Sequence, residues 1–182
     1  MYKRQEPREY RIDPEHFSIV FAVDHLGYGD VIGQFLTGQG SFVYDEEARR
    51  LLSAQVTVDA NSVFTNMDAR DSHLRSGDFL HASANPTISF VARSATATGA
   101  DSGRVTGDLT IRGVTRPVSL DVTLVQAGTY PFPTSGPEPN YVLGVALTTN
   151  FLRSDFGMTY AVDNGWVGDE VDMTIAFEAI RQ

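Results

Sequence analysis

The chain has 182 residues, a formal net charge of −9 and no cysteine. This length fits a single domain, residues 1–182, that is large enough to enclose a core or an internal cavity. The acidic balance disfavours a nucleic-acid partner and docking on anionic lipid, and the absence of cysteine excludes disulfides, thiolate catalysis and cysteine-ligated metals.

The first residues carry little information about export. Residues 1–5 are basic, but no apolar segment follows them, so they do not read as a signal peptide. The transposase mosaic end used in sequencing libraries encodes the same five residues in one reading frame, so a second interpretation is that residues 1–5 are a non-native scar. Under that interpretation, the lack of a signal peptide is weak evidence for a cytoplasmic protein. No apolar run approaches the length of a membrane span, and we expect no stable membrane insertion.

Three strands are predicted in the first third of the chain, over 19–24, 31–42 and 55–59, because apolar and polar residues alternate there. Glycines punctuate the second run, and we expect them to mark bulges and the sharp coiling of a small closed sheet. The residues expected to share the inward face are Ile19, Phe21, Val23, Phe35 and Phe42.

The stretch from 66 to 90 organises the rest of the chain. Thr65 to Asp68 has the hydroxyl-x-x-acid form of a helix start, and the following turns are polar nearly all round. Asp71 and Arg75 have the favourable i,i+4 order. A short, charged helix with an apolar end suits a lid on a barrel mouth, plugged by Phe79, rather than a core helix.

Five further strands follow, over 87–92, 105–112, 118–124, 145–151 and 171–179. Turns are short and long crossovers are missing, which favours an antiparallel meander. The fold class is therefore all-β, an eight-stranded antiparallel barrel with one short helix inserted between strands 3 and 4; a sandwich is the alternative, and the strand glycines favour the barrel. The residues of these strands expected to face inward include Ile88, Phe90, Ile111 and Phe151.

Few residues suggest chemistry. His25 ends the first strand in phase with its apolar face, and is either a rim histidine bonded to a backbone carbonyl or a polar contact for a ligand head group. Asp71 and His73 lie among serines, which supplies the elements of a hydrolase triad, but neighbours on one helical turn point in different directions and no G-x-S-x-G elbow is present. The alternative is that these side chains tie the helix to nearby loops. No metal-ligand spacing is present.

The segment Arg153 to Gly157 contains the string D-F-G without any other kinase element. It predicts a structured turn, with Phe156 packing inward and Arg153 or Asp155 bonding to backbone. The aromatic residues either fill a solid core or line an apolar tube, and the pattern leaves both readings open.

Several stretches in order resemble the YceI-like family of lipid-binding proteins. They are Ile12 to His16, Val23 to His25, Arg70 to Phe79, Pro86 to Phe90, Val105 to Val122, Arg153 to Gly157 and Gly168 to Val171. The resemblance implies a lipocalin-like barrel around a long amphiphilic chain, such as a polyisoprenoid, an isoprenoid quinone or a fatty amide, and no other cofactor. It also implies a bacterial, periplasmic or secreted, non-enzymatic and often homodimeric protein. Leu152 and the proline-rich loop at 129–139 depart from the family pattern.

On this basis we expect a lipid carrier without covalent chemistry. The competing hypotheses are a lipid-modifying enzyme that uses His25 or the Asp71/His73 pair, and a solid-cored interaction module. The candidate lipid-binding residues are Ile19, Phe21, Val23, His25, Phe35, Phe42, Phe79, Ile88, Phe90, Ile111, Phe151, Phe156 and Trp166.

Overall fold

The computed structural model describes residues 6–133 and 137–182. Residues 1–5, read above as a candidate scar, and the centre of the proline-rich loop lie outside this description. The strands are β1 (Arg8–His25), β2 (Gly29–Phe35), β3 (Gly38–Asp45), β4 (Arg50–Asp59), β5 (Val63–Phe64), β6 (Thr87–Ala97), β7 (Ser102–Ile111), β8 (Val114–Thr129), β9 (Tyr141–Leu152) and β10 (Glu170–Arg181). The α-helix is α1 (Asp68–Arg75), and short 3₁₀ turns cover Ala60–Ser62 and Arg153–Phe156.

The strands form one antiparallel sheet that closes on itself, in the order β10-β9-β8-β7-β6-β4-β3-β1, with β1 returning to β10. The long β1 pairs with β3 near its start and with β2 near its end, so β2 and β3 act as one barrel strand broken at residues 36–37. The result is the predicted eight-stranded barrel, with the helix between its third and fourth strands. Closure covers the apolar face of the sheet without a second layer.

The two ends of the barrel are built differently. The upper end carries the β1–β2 hairpin, the segment from β5 through α1 to residue 86, and the loop between β9 and β10. The lower end carries the hairpins between β3 and β4 and between β6 and β7. Each end has its own cluster of buried apolar side chains: the upper includes Ile19, Phe21 and Ile111, and the lower is formed around Tyr10 and Leu143.

Two glycines of β2 and β3 have a different role from the one predicted. The pairing of β1 with β2 runs without a register shift, so Gly33 does not mark a bulge. A Cβ at Gly33 would lie 2.3 Å from the ring of Phe21, and one at Gly38 would lie 2.4 Å from the ring of Phe17. These glycines therefore leave room for phenylalanine rings on the neighbouring strand, inside a barrel that is narrow for such side chains.

Candidate functional site

The upper half of the barrel encloses a cavity of about 610 Å³, here called the upper chamber. Its walls are almost entirely apolar side chains from the inward faces of β1, β2, β4 and β6 to β10. The barrel is therefore hollow, and the solid-cored alternative does not fit it. The predicted site residues that line the upper chamber are Ile19, Phe21, Val23, His25, Phe35, Phe79, Ile88, Phe90, Ile111, Phe151 and Trp166.

Two predicted site residues lie elsewhere. Phe42 is on β3 at the lower end and lines a second cavity of about 340 Å³, here called the lower chamber. Phe156 is 1% exposed and packs edge-on against Phe151, 5.3 Å between ring centroids, and among the described residues it is not part of either chamber wall. Its position confirms the prediction that Phe156 packs inward from a structured turn, and makes it a support for Phe151.

The mouth of the upper chamber carries polar side chains. His25 and Asp24 lie at the end of β1, exposed to solvent, and Trp166 lies beside them with 57% of its surface exposed. In the part of the chain that the structure describes, the His25 ring makes no hydrogen bond, so the predicted bond to a backbone carbonyl is not formed there. Asp24 accepts a hydrogen bond from the backbone N–H of Gly27 at 3.0 Å.

The start of α1 is built differently from the predicted capping box. Met67 occupies the cap position without a side-chain hydrogen bond, and Asn66 adopts a left-handed φ of 62°. Thr65 is thereby directed to Asp71, whose Oδ1 accepts from the Thr65 N–H at 2.8 Å and from its hydroxyl at 2.5 Å. Arg70 Nε donates to the same hydroxyl oxygen at 2.7 Å. Because Asp71 is only 2% exposed, this network is an internal anchor of the helix.

Arginines fasten the lid segment to its neighbours through backbone carbonyls. Arg112, in the turn between β7 and β8, donates to the carbonyls of Gly77 at 2.6 Å and Phe79 at 2.8 Å. Arg75 donates to Asn61 O at 3.1 Å, so it does not depend on the predicted pairing with Asp71. These contacts confirm the interpretation that the polar side chains of the helix tie it to nearby loops.

Three rings meet where the lid contacts the loop between β9 and β10. His73 packs edge-on against Phe79 at 5.0 Å and against Tyr160 at 4.8 Å between centroids. Phe79 and Tyr160 are 5.4 Å apart, and the guanidinium of Arg153 lies over the Phe79 ring at 5.5 Å. All four line the upper chamber, so the lid closes it with an aromatic cluster.

Arg153 organises the loop between β9 and β10, here called the rim loop. Its side chain is 3% exposed and donates to four carbonyl oxygens, those of Met158 and Gly168 at 2.7 Å and those of Tyr160 and Val167 at 2.9 Å. Burial lowers the pKa of Arg153, and the Asp169 carboxylate partly opposes that effect. The predicted bonding of Arg153 to backbone is confirmed, on a larger scale than a single turn requires.

The groups that could form a triad have separate partners. Asp71 accepts from Thr65, whereas His73 Nε2 lies 2.8 Å from Asp78 Oδ2. The Ser76 hydroxyl oxygen accepts from the Asp78 backbone N–H at 3.3 Å. A nucleophile activated by a base that is oriented by Asp71 is therefore not assembled in this arrangement. Among the described residues no group of three histidine or carboxylate side chains is placed to hold a metal ion.

A polar cluster lies at the lower end of the barrel. The hydroxyls of Tyr10 and Tyr141 both donate to the carboxylate of Glu46, the second at 2.6 Å. The guanidinium of Arg181 lies 4.0 Å above the Tyr141 ring. Burial and the Glu46 carboxylate raise the pKa of Tyr10, and the hydrogen bond to Glu46 is the main cause of the raised pKa of Tyr141.

Sequence reasoning missed several wall residues. Phe17, Met173 and Ile175 line the upper chamber, and their alternation within β1 and β10 was a usable signal. Tyr160 in the chamber wall and Arg112, which fastens the lid segment, carried no such signal, because each belongs to a turn whose contacts depend on the closed barrel.

Comparison with known proteins gives a consistent picture. A family model described as the YceI-like domain matches residues 10–179. A UPF0312 protein of Pseudomonas aeruginosa is 39% identical over 176 residues, which cover 96% of this chain and 87% of that protein.

No helix among the described residues has both the length and the apolarity needed to cross a membrane.

Two solved structures share the architecture. A YceI protein of Campylobacter jejuni aligns with a TM-score of 0.76 and 26% identity, over 87% of this chain and 90% of that one. A domain from Saccharophagus degradans, described as a polyisoprenoid-binding domain implicated in plant cell wall breakdown, aligns with a TM-score of 0.67 and 13% identity, over 97% and 100% of the two chains. The second likeness concerns the fold alone.

Proposed function

Because the chain belongs to the YceI-like domain family, we propose that it binds one long-chain amphiphilic lipid in its barrel and carries or sequesters it without covalent chemistry. The observation that carries the proposal is the upper chamber, about 610 Å³ in volume and walled by apolar side chains. That volume lies within the range of about 300–1,000 Å³ typical of small-molecule sites. The polyisoprenoid-binding description of the Saccharophagus domain supports the same ligand class.

The chemistry of the chamber selects the ligand by its shape. Burial of each methylene contributes about 0.8 kcal/mol, and this contribution has no direction, so a slender chain of fitting length binds whatever its detailed structure. Association and chain ordering cost several kcal/mol, which disfavours short ligands. A polyisoprenoid, an isoprenoid quinone and a fatty amide all meet this requirement.

The head group is expected to be polar and uncharged. At the mouth, His25 and Asp24 offer both a hydrogen-bond donor or acceptor and a carboxylate, and the net charge of the chain is −9. An anionic head group would meet the carboxylate and the overall negative field. His25, with its ring open at the mouth, is the residue we assign to head-group contact.

The decisive experiment is native mass spectrometry of the purified protein followed by solvent extraction and identification of any co-purified lipid. The delipidated protein is then titrated with a long polyprenol and an isoprenoid quinone while the emission of Trp166, the one tryptophan of the sequence, is recorded. We expect a bound lipid or saturable uptake. A clean protein mass with no uptake of any long-chain probe would refute the proposal.

Family membership also leads us to propose a periplasmic or secreted location and a homodimer. Cell fractionation of the source organism and light scattering of the purified protein test these two points separately. Neither result bears on the lipid-binding test, because the cavity lies inside one barrel.

A further inference from the structure

The interior of the barrel is divided into two chambers in series. The upper chamber measures about 610 Å³ and the lower about 340 Å³, so the lower is a little over half as large. The division lies at the middle of the barrel, where five side chains belong to both walls, here called the partition. The partition residues are Val56, Phe90, Leu120, Leu147 and Phe177.

The lower chamber has the character of a binding compartment. Its walls include Ile12, Phe42 and Leu143, and its volume alone lies within the range of small-molecule sites. Its floor is formed by two hairpin tips that are fastened together, because Arg49 donates to the backbone carbonyl of Ala100. An apolar chain that passes the partition therefore finds a largely apolar space, with the polar hairpin residues Arg50, Asp101 and Arg104 at its outer end.

The two aromatic members of the partition are held differently. Phe177 is braced on both sides, edge-on by Phe17 at 6.0 Å and by Phe42 at 6.1 Å between centroids. Phe90 has no such brace: in residues 6–133 and 137–182 no aromatic ring packs against it. Its ring instead lies over Gly107, where an added Cβ would come within 2.5 Å of Cζ.

Phe90 is therefore the less constrained of the two aromatic members of the partition. The ring is only half-buried, fills the space left by a missing side chain, and carries no polar group that would fix it by a hydrogen bond. Rotation about its side-chain bonds shifts the ring within the barrel without disturbing the strand pairing of β6 and β7. Braced neighbours such as Phe177 cannot make the same movement without displacing other rings.

We infer that the lower chamber is a second binding compartment for the apolar tail of the lipid, and that Phe90 sets the chain length at which a ligand gains access to it. This inference rests on the proposed function. A ligand whose head group stays at the mouth fills the upper chamber first. Only a longer chain meets Phe90, and further binding energy is gained only when that ring moves aside.

The test is a series of all-trans polyprenols of increasing length, titrated into the delipidated full chain with Trp166 emission as the readout. In the wild type, affinity should rise by up to about fourfold per buried methylene and then level off when the chain reaches the partition. In Phe90→Ala the plateau should move to longer chains, with affinity for the longest probes at least about tenfold above that of the wild type. Short probes should bind Phe90→Ala no more tightly than the wild type, because Phe90 also lines the upper chamber.

The matched control is Phe151→Ala, which removes a ring of the same kind from the wall of the upper chamber and leaves the partition intact. It should change affinity for all chain lengths by a similar factor, without moving the plateau. If Phe90→Ala does not fold, Phe90→Leu provides a smaller change with the same expected direction.

The outcomes separate the inference from the proposed function. If no polyprenol of any length binds the wild type, the proposed function is wrong. If polyprenols bind but affinity rises through the series without a plateau, or the plateau stays in place in both Phe90 variants, lipid binding stands and the length-setting role of Phe90 is refuted.

Discussion

Replacement of Arg153 by methionine should strongly destabilise the barrel, because this one side chain supplies the donors for four backbone carbonyls of the rim loop. Methionine retains part of the apolar stem but has no N–H group. The substitution therefore leaves the acceptors in place and removes their partner, which is the more costly way to break a buried hydrogen bond.

The size of the effect follows from the surroundings of each acceptor. An unsatisfied buried carbonyl costs about 1–3 kcal/mol. The bond to Met158 O is buried and should cost nearly the full amount, whereas the other three are partly buried and can recover water. Methionine also removes the cost of burying the charged guanidinium, and this offsets a further part of the lost stability. A loss of about 3–5 kcal/mol is the balance we expect.

Urea unfolding followed by circular dichroism measures this loss. With a slope of about 2 kcal/mol per molar urea, the midpoint should fall by roughly 2 M in Arg153→Met. Arg153→Lys should lose less, since an ammonium supplies donors but cannot reach all four carbonyls in a planar fork. The matched control is Arg104→Met at an exposed ion pair with Asp121, where the midpoint should hardly change. A midpoint for Arg153→Met equal to that of the control would refute the reasoning.

Three further predictions concern the chamber wall, the lid helix and three tyrosines. Val23→Trp at the chamber wall should abolish uptake of a long polyprenol while the melting temperature changes little, because a side chain added to a cavity displaces no neighbour; Val125→Trp, on the exposed outer face, is the control and should bind normally. Hydrogen exchange should be faster in α1 than in β8 of the lipid-free protein and should slow on lipid binding, and equal protection in both states would make the lid a rigid plug. Stability should be retained up to the ordinary tyrosine pKa of 10.0 and fall at higher pH. Because the pKa of Tyr10 is raised in the folded state, the folded protein holds the phenol proton more tightly than the unfolded chain does, so deprotonation favours unfolding. Absorbance titration of tyrosinate should show three tyrosines that ionise above the ordinary tyrosine pKa, namely Tyr10, Tyr44 and Tyr141. Ionisation of all three at the ordinary pKa would contradict this prediction.

Alternation along the strands predicted the barrel and most of the upper wall, because a residue's face in a strand is a local property. Ile19, Phe21 and Ile88 line the chamber as their phase required. The number of barrel strands and the position of the helix were also correct, since turns and helix signals are local too.

Contacts that depend on the closed barrel could not be predicted from alternation along the strands. Phe42 has the same phase as the upper residues but lies farther along the barrel axis, and only the register of β3 against β1 places it in the lower chamber. The Thr65 cap was wrong because the Thr65 hydroxyl oxygen accepts from Arg70 Nε, while its O–H donates to Asp71, six residues away. The partition has no sequence signal, since it arises where side chains of five different strands meet.

Closure of the sheet through β1 and β10 also determines how the chain must fold as it is made. Tyr10 pairs with Arg181, so the edge of β1 that does not pair with β2 and β3 waits for almost the entire chain before its partner exists. Until then both β1 and β9 are open edges with unpaired backbone groups, which favour wrong pairing between chains. Pairings so distant in sequence form slowly, after loop-closure entropy has been overcome. A nascent or C-terminally shortened chain is therefore an open sheet prone to aggregation, and the chamber comes into existence only when the last strand is in place.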